Sequence, residues 1–272
     1  MKKFLVAILA LTGITFLKAQ EAKPLILGEV QVLESDVLDE ARTLNIFLPQ
    51  GYVDSIDYPV LYVLDGTINE DFIHICGLVQ FFQLQFGMPE FIVVGIANVD
   101  RNRDFTFHSD LPDLQEKYPT TGHSEPFIRF IAEELQPFIE SHYSVSDTRY
   151  LIGQSLGGLL ATEILLKHAD LFTHYLIVSP SLWWDNESML DQAGELLAKQ
   201  EKLPEFVYVS VGKGEHRIMR REARAIYRVL TKANQPEMTV EFNMMKDENH
   251  ATILHNSIYE AFMRIFPFTE PQ

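Results

Sequence analysis

The segment Leu151-Ile152-Gly153-Gln154-Ser155-Leu156-Gly157-Gly158 constrains this chain more than any other. It reads as a buried strand that ends in a sharp turn, carries a serine at the turn and passes at once into a helix. In a Gly-x-Ser-x-Gly turn the serine takes a strained backbone conformation, and the flanking glycines remove side-chain carbons that would collide there. The Ser155 hydroxyl is then exposed at the end of a strand. Beside it, the N–H of Leu156 opens the helix and is a candidate donor to a developing oxyanion. Such a turn needs a strand before it and a helix behind it. Residues 149–152 are an apolar run suited to a buried parallel strand, and residues 159–166 continue in strong helix formers.

Further strand-like runs occur at 25–33, 44–48, 60–64, 91–96, 175–178, 206–211 and 238–242. The later ones are separated by helix-length segments, which predicts βαβ units: an α/β protein with a mostly parallel central sheet of about eight strands and helices on both faces. Residues 127–142 show the helical period, with Phe127, Phe130, Ile131, Leu135, Phe138 and Ile139 on one stripe. Ser124 is the expected N-cap and Pro126 falls in the first turn. Residues 98–123 are polar and irregular, and so long a connection is either a rim or lid of a site or a plain surface excursion.

A serine nucleophile requires a base, and the base an orienting acid. In the α/β-hydrolase fold the acid and then the histidine follow the serine, on loops at the carboxyl ends of strands. His168 and His174 fall in or beside regular elements, and His255 lies a turn into an apolar helix. His250 directly follows the last strand, in Lys246-Asp247-Glu248-Asn249-His250, and is the expected base. For the acid, Glu215 follows Gly212-Lys213-Gly214 at a strand end, where glycines allow a sharp turn. Asp185, after the preceding strand, is the competing candidate, and Asp247 is too close in sequence to aim at the ring. The second oxyanion donor is expected from the loop after residues 60–64, as the N–H of Gly66 or Thr67.

Residues 1–20 read as a cleaved signal peptide: Lys2 and Lys3, an apolar stretch from Phe4 to Leu17, then Lys18-Ala19-Gln20. The apolar stretch is shorter than a membrane span, which needs about 20 residues. Residues 21–272 then form a single catalytic domain, exported to the periplasm or beyond and not held in a membrane. The one cysteine, Cys76, is expected in the core, so disulfides contribute nothing. Cleavage removes three lysines and no acid, taking the formal net charge from −16 to −19. Such a surface repels nucleic acid and anionic membrane. No metal-ligand cluster, phosphate-cradling loop or other cofactor motif is read, and nothing in the sequence sets the oligomeric state.

Several segments together resemble the Putative esterase family of α/β-hydrolases. They are Tyr58-Pro59-Val60-Leu61-Tyr62-Val63-Leu64-Asp65-Gly66, Gly95-Ile96-Ala97-Asn98-Val99-Asp100-Arg101-Asn102-Arg103-Asp104, residues 127–143, the serine turn, and Ser179-Pro180-Ser181-Leu182-Trp183-Trp184-Asp185. The resemblance runs through nearly the whole of residues 21–272 and is strongest to the enterobactin-type siderophore esterases; the wider family includes feruloyl esterases and mycolyl transferases. It implies Ser155 as nucleophile, His250 as base and Glu215 as acid. These proteins often carry histidine before the nucleophile, and here Gln154 stands there, which bears on substrate fit.

The expected activity is hydrolysis of a small-molecule or oligosaccharide ester through an acyl-enzyme on Ser155. An acyltransferase with the same triad and a non-catalytic binding module are the alternatives. Trp183 and Trp184 are candidates for an aromatic platform under a catechol, a feruloyl ring or a sugar. Arg101 is a candidate for holding an anionic substrate group, although Asp100 and Asp104 beside it offer ion pairs within the loop.

Overall fold

A computed structural model describes residues 23–233 and 235–268. In chain order the regular elements are β1 Glu29–Ser35, β2 Glu40–Phe47, β3 Tyr58–Val63, α1 Phe72–Phe86, β4 Ile92–Ile96, α2 Arg101–Phe105, α3 Pro112–Lys117, α4 Ser124–Phe130 and α5 Gln136–His142. They continue as β5 Val145–Gln154, α6 Leu156–Lys167, β6 His174–Val178, α7 Ser188–Ala198, β7 Phe206–Gly212, α8 Arg217–Lys232, β8 Thr239–Met245 and α9 Ile253–Ile265. The strands form one sheet in the order β1-β2-β4-β3-β5-β6-β7-β8. Only β1–β2 and β2–β4 pair antiparallel, and every other neighbour is parallel. This is the α/β-hydrolase architecture expected from the strand runs.

Successive side chains on a strand point to opposite faces, and a sheet covered on both sides makes both faces apolar. Val60 and Tyr62 of β3, Tyr175 and Ile177 of β6, and Val207, Val209 and Val211 of β7 pack on one side, against α4 to α8. Their neighbours Leu61, Val63, Leu176, Val178 and Tyr208 pack on the other, against α1 and α9. Cys76 of α1 is buried in this second layer, and burial pushes its thiol up to about 12, which leaves it an inert core residue.

The helix expected over 127–142 is interrupted. Residues Ile131–Leu135 form a π-turn between α4 and α5, because Pro137 has no N–H and its ring crowds the carbonyl four residues back. Ser124 is the first helical residue and His123 the N-cap, so the cap falls one residue earlier than the sequence suggests. Residues 98–123 are a rim built into the fold, with α2 and α3 inside them. Arg42, fully buried, bonds Asp104 at 2.7 Å, and Arg103 bonds Asp104 and Glu40. Trp184 Nε1 donates to the Phe107 carbonyl at 2.9 Å. The signal peptide expected over residues 1–20 lies outside the described residues; among those described, no helix is long and apolar enough to cross a membrane.

Candidate active site

Just beyond the ends of three neighbouring strands, β3, β5 and β6, stands a non-glycine residue with positive φ: Asp65 at 55°, Ser155 at 60° and Ser179 at 45°. Each such conformation costs on the order of 1–3 kcal/mol and persists only where its surroundings enforce it. For Ser155 they do. Its N–H donates to Val178 O at 3.1 Å, and its carbonyl accepts from Leu159 N at 2.9 Å and Ser181 N at 3.0 Å. A Cβ on Gly153 would lie 2.3 Å from Gly157 O, and one on Gly158 would lie 2.9 Å from Pro180 Cα, so backbone presses on both. Gly157 itself has room, its nearest neighbour being Leu64 Cβ at 3.5 Å. The second glycine the turn depends on is therefore Gly158, not the Gly157 of the motif.

The turn after β7 is pressed against the loop that carries His250. Lys213 N donates to Met245 O at 2.8 Å and Gly214 N to Glu248 O at 2.9 Å, and a Cβ on Gly212 would meet Glu248 O at 2.5 Å. That close approach brings Glu215 Oε2 to 2.8 Å from His250 Nδ1, while His250 Nε2 lies 3.0 Å from Ser155 Oγ. A carboxylate only accepts, so Nδ1 carries the proton and Nε2 faces the serine hydroxyl as an acceptor. The other carboxylate oxygen of Glu215 accepts from Gly212 N at 2.7 Å and from the Ser179 hydroxyl. Burial would raise the Glu215 carboxyl, but the hydrogen bonds from His250, Ser179 and Gly212 outweigh it and hold the group below the usual glutamate range.

Asp185 does not approach the imidazole. Its carboxylate accepts from Ser109 and Ser188 hydroxyls, both at 2.6 Å, and it ties the 98–123 rim to the turn after β6.

The remaining candidates divide. The N–H of Gly66 is spent on Ile96 O at 2.9 Å, which removes Gly66 as an oxyanion donor. A Cβ there would lie 2.4 Å from Gly95 Cα, so the glycine serves close approach of two loops. Among the described residues, the N–H groups of Thr67 and Leu156 donate to no protein atom. Arg101 is not a free cation: its guanidinium grips both oxygens of Asp65 at 2.6 and 2.8 Å and reaches Gln154 O at 3.3 Å. Gln154, expected beside the substrate, turns its side chain towards the histidine loop, its Nε2 donating to His250 O at 2.5 Å. Trp184 is 1% exposed, packed against Tyr118, and is core, its buried indole N–H satisfied by the Phe107 carbonyl. Trp183 is half-buried and lines an open groove of about 370 Å³ with Leu111, Pro112, Leu114 and Asn186.

Three participants were not read from the sequence. Ser179 orients Glu215; Ser181, buried, has its hydroxyl 3.3 Å from Ser155 Oγ; and Asp65 organises the loop after β3 through Arg101 and Asn98. The Ser179-Pro180-Ser181 run directly after an apolar strand was the available signal for the two serines. Asp65 had none, since its partners lie more than thirty residues away.

A match to the family model "Putative esterase" spans residues 35–259. The chain belongs to this family. Over 257 residues it is 31% identical to the ferri-bacillibactin esterase BesA of Bacillus subtilis, with 83% of this chain and 85% of that protein covered. Among solved structures, an IroE-like serine hydrolase from Shewanella oneidensis superposes with a TM-score of 0.79 at 30% identity, covering 88% of this chain and 80% of that one. The BES protein from Bacillus cereus superposes with the same TM-score at 28% identity, covering 92% and 99%. As a member of this esterase family the chain is a serine hydrolase acting on carboxylic esters.

Proposed function

We propose that the protein hydrolyses the ester bonds of a siderophore, with Ser155, His250 and Glu215 as catalytic triad. The observation that carries this reading is the position of His250, within hydrogen-bond distance of Ser155 on one ring nitrogen and Glu215 on the other. The substrate class rests on the similarity to the ferri-bacillibactin esterase over most of both chains.

Ser155 Oγ attacks the ester carbonyl while its proton passes to His250 Nε2. Glu215 fixes the tautomer and stabilises the imidazolium that forms. The carbonyl oxygen, now negative, is received by the N–H groups of Leu156 and Thr67, the first aided by the N-terminal dipole of α6. Collapse breaks the bond to the alcohol oxygen, which takes the proton from His250. Water then repeats the sequence on the acyl-enzyme and releases the acid. Trp183 and the rim at 111–114 offer the aromatic and apolar surface against which a flat acyl group stacks. Residues 1–20 direct export and are removed, which intact-mass measurement of protein from its host tests: a mature chain starting near Gln20 or Glu21 is expected.

The substrate is tested with a panel of ferri-bacillibactin, its iron-free form, a feruloyl ester and an acetylated sugar, with products followed by mass spectrometry. Stepwise hydrolysis of the siderophore with a kcat/KM at least tenfold above the other two esters is expected. Preference for the feruloyl or sugar ester would refute the siderophore assignment and leave the esterase chemistry standing.

A further inference from the structure

Helix α8 departs from local stability rules in a way the triad does not explain. Arg217, Arg220, Arg221, Arg224 and Arg228 recur at helical spacing and line one open groove of about 260 Å³. Like charges three and four residues apart destabilise a helix, and cations in its first turn oppose its dipole. The first turn of α8 holds no acid. Among the described residues only Arg221 of the five is ion-paired, to Glu187 and Glu222, and the buried Nε of Arg220 has no partner. Residues 213–228 carry six cations and two acids, a formal charge of +4 in a chain of −16, which leaves −20 on all the rest. One of the two acids, Glu222, is fully buried, and burial pushes its carboxyl up to about 7.

The stripe begins close to the site in sequence. It starts at Arg217, two residues beyond the Glu215 that bonds His250, and Arg221 holds Glu187 in the turn that follows Trp183. From Arg217 to Arg228 it extends roughly 16 Å along the helix. A neutral ester gains nothing from such a surface. An anionic one would otherwise meet repulsion from the whole molecule, and a local field of opposite sign raises its encounter rate.

We propose that the arginine stripe of α8 is an approach surface that binds and steers a small polyanionic ester to Ser155. This rests on the esterase reading of the site, and the experiment separates the two. Two esters of the same acyl group are compared, one neutral and one bearing a tricarboxylate, with the wild type, the pair Arg224→Gln and Arg228→Gln, and the pair Arg224→Lys and Arg228→Lys. For the tricarboxylate ester the glutamine pair is expected to lower kcat/KM about three- to tenfold at low ionic strength. That loss vanishes near 0.5 M salt, where the screening length is only about 4 Å. The lysine pair keeps wild-type rates, and the neutral ester is unaffected by either pair. Equal kcat/KM of wild type and glutamine pair on the tricarboxylate ester, or an equal loss on both esters, would overturn the proposal.

Equilibrium binding of the non-hydrolysable amide of the tricarboxylate ester gives a readout free of turnover. Its Kd should rise by the same factor in the glutamine pair. A protein that binds the amide in this arginine-dependent way yet cleaves neither ester would contradict the esterase reading and support the stripe. Cleavage of the esters with amide binding indifferent to the arginines would do the opposite.

Discussion

Glu215 and Asp185 follow neighbouring strands, β7 and β6, and both accept hydrogen bonds from serine hydroxyls. Only Glu215 meets the imidazole. The difference lies in what closes around each carboxylate. Gly212 lets the turn after β7 lie directly on the loop before His250, in a backbone contact that no side-chain carbon would permit, and Gly214 N donates to Glu248 O beside it. The turn after β6 runs through three consecutive positive-φ residues, Asp185, Asn186 and Glu187, and folds outward to the rim, where Ser109 waits. A strand-end carboxylate thus becomes part of a relay or part of a scaffold according to the backbone that faces it.

That contrast is open to direct attack. The largest effect belongs to neither carboxylate: Ser155→Ala should lower kcat about 10⁶-fold with the fold intact by circular dichroism. Glu215→Gln should lower kcat about 10³- to 10⁴-fold with little change in KM, because the imidazole loses its orienting acceptor. Asp185→Asn, measured on the same ester, should leave kcat within about twofold and cost roughly 1 kcal/mol of stability in urea titration, as expected for weakening hydrogen bonds at a rim. Gln154→Ala removes one bond to the His250 carbonyl and should cost about tenfold or less in kcat, again at constant KM. A KM effect there would return Gln154 to the substrate side.

The smallest effect is on pH. Glu215 is held below the ordinary glutamate range when folded, so its contribution to stability is fully present above that range and is lost as pH falls through the depressed folded value. Urea midpoints measured between about pH 2 and 6 should therefore show a shallower acid limb for Glu215→Gln than for wild type. Identical limbs would mean that the bonds from Ser179, Gly212 and His250 do not favour the charged form.

The sheet was legible because its signal is local. The inner strands β3, β4, β6 and β7 are apolar runs buried on both faces, and the helix-length segments between the later runs dictate parallel pairing. The serine turn was legible for the same reason, down to the strained residue itself. What escaped depends on partners distant in sequence. Whether Gly66 or Thr67 has a free N–H is decided by Ile96 O, and whether Arg101 is a free cation is decided by Asp65, thirty-six residues away. Trp183 and Trp184 are adjacent and chemically identical, yet the carbonyl of Phe107 draws one into the core and leaves the other on the groove. The choice of Gly158 over Gly157 as the second indispensable glycine likewise follows from Pro180, on the neighbouring strand's turn.

The most direct test of the account uses a fluorophosphonate, which reacts only with a serine activated by its base. Ser181 makes the test discriminating, since its hydroxyl lies 3.3 Å from that of Ser155 but has no bond to His250 among the described residues. Peptide mapping of the labelled wild type should find one adduct, on Ser155, and its rate of formation should fall at least a hundredfold in Glu215→Gln. An adduct on Ser181, or labelling of Ser155 at an undiminished rate without Glu215, would contradict the relay from Glu215 through His250 to Ser155.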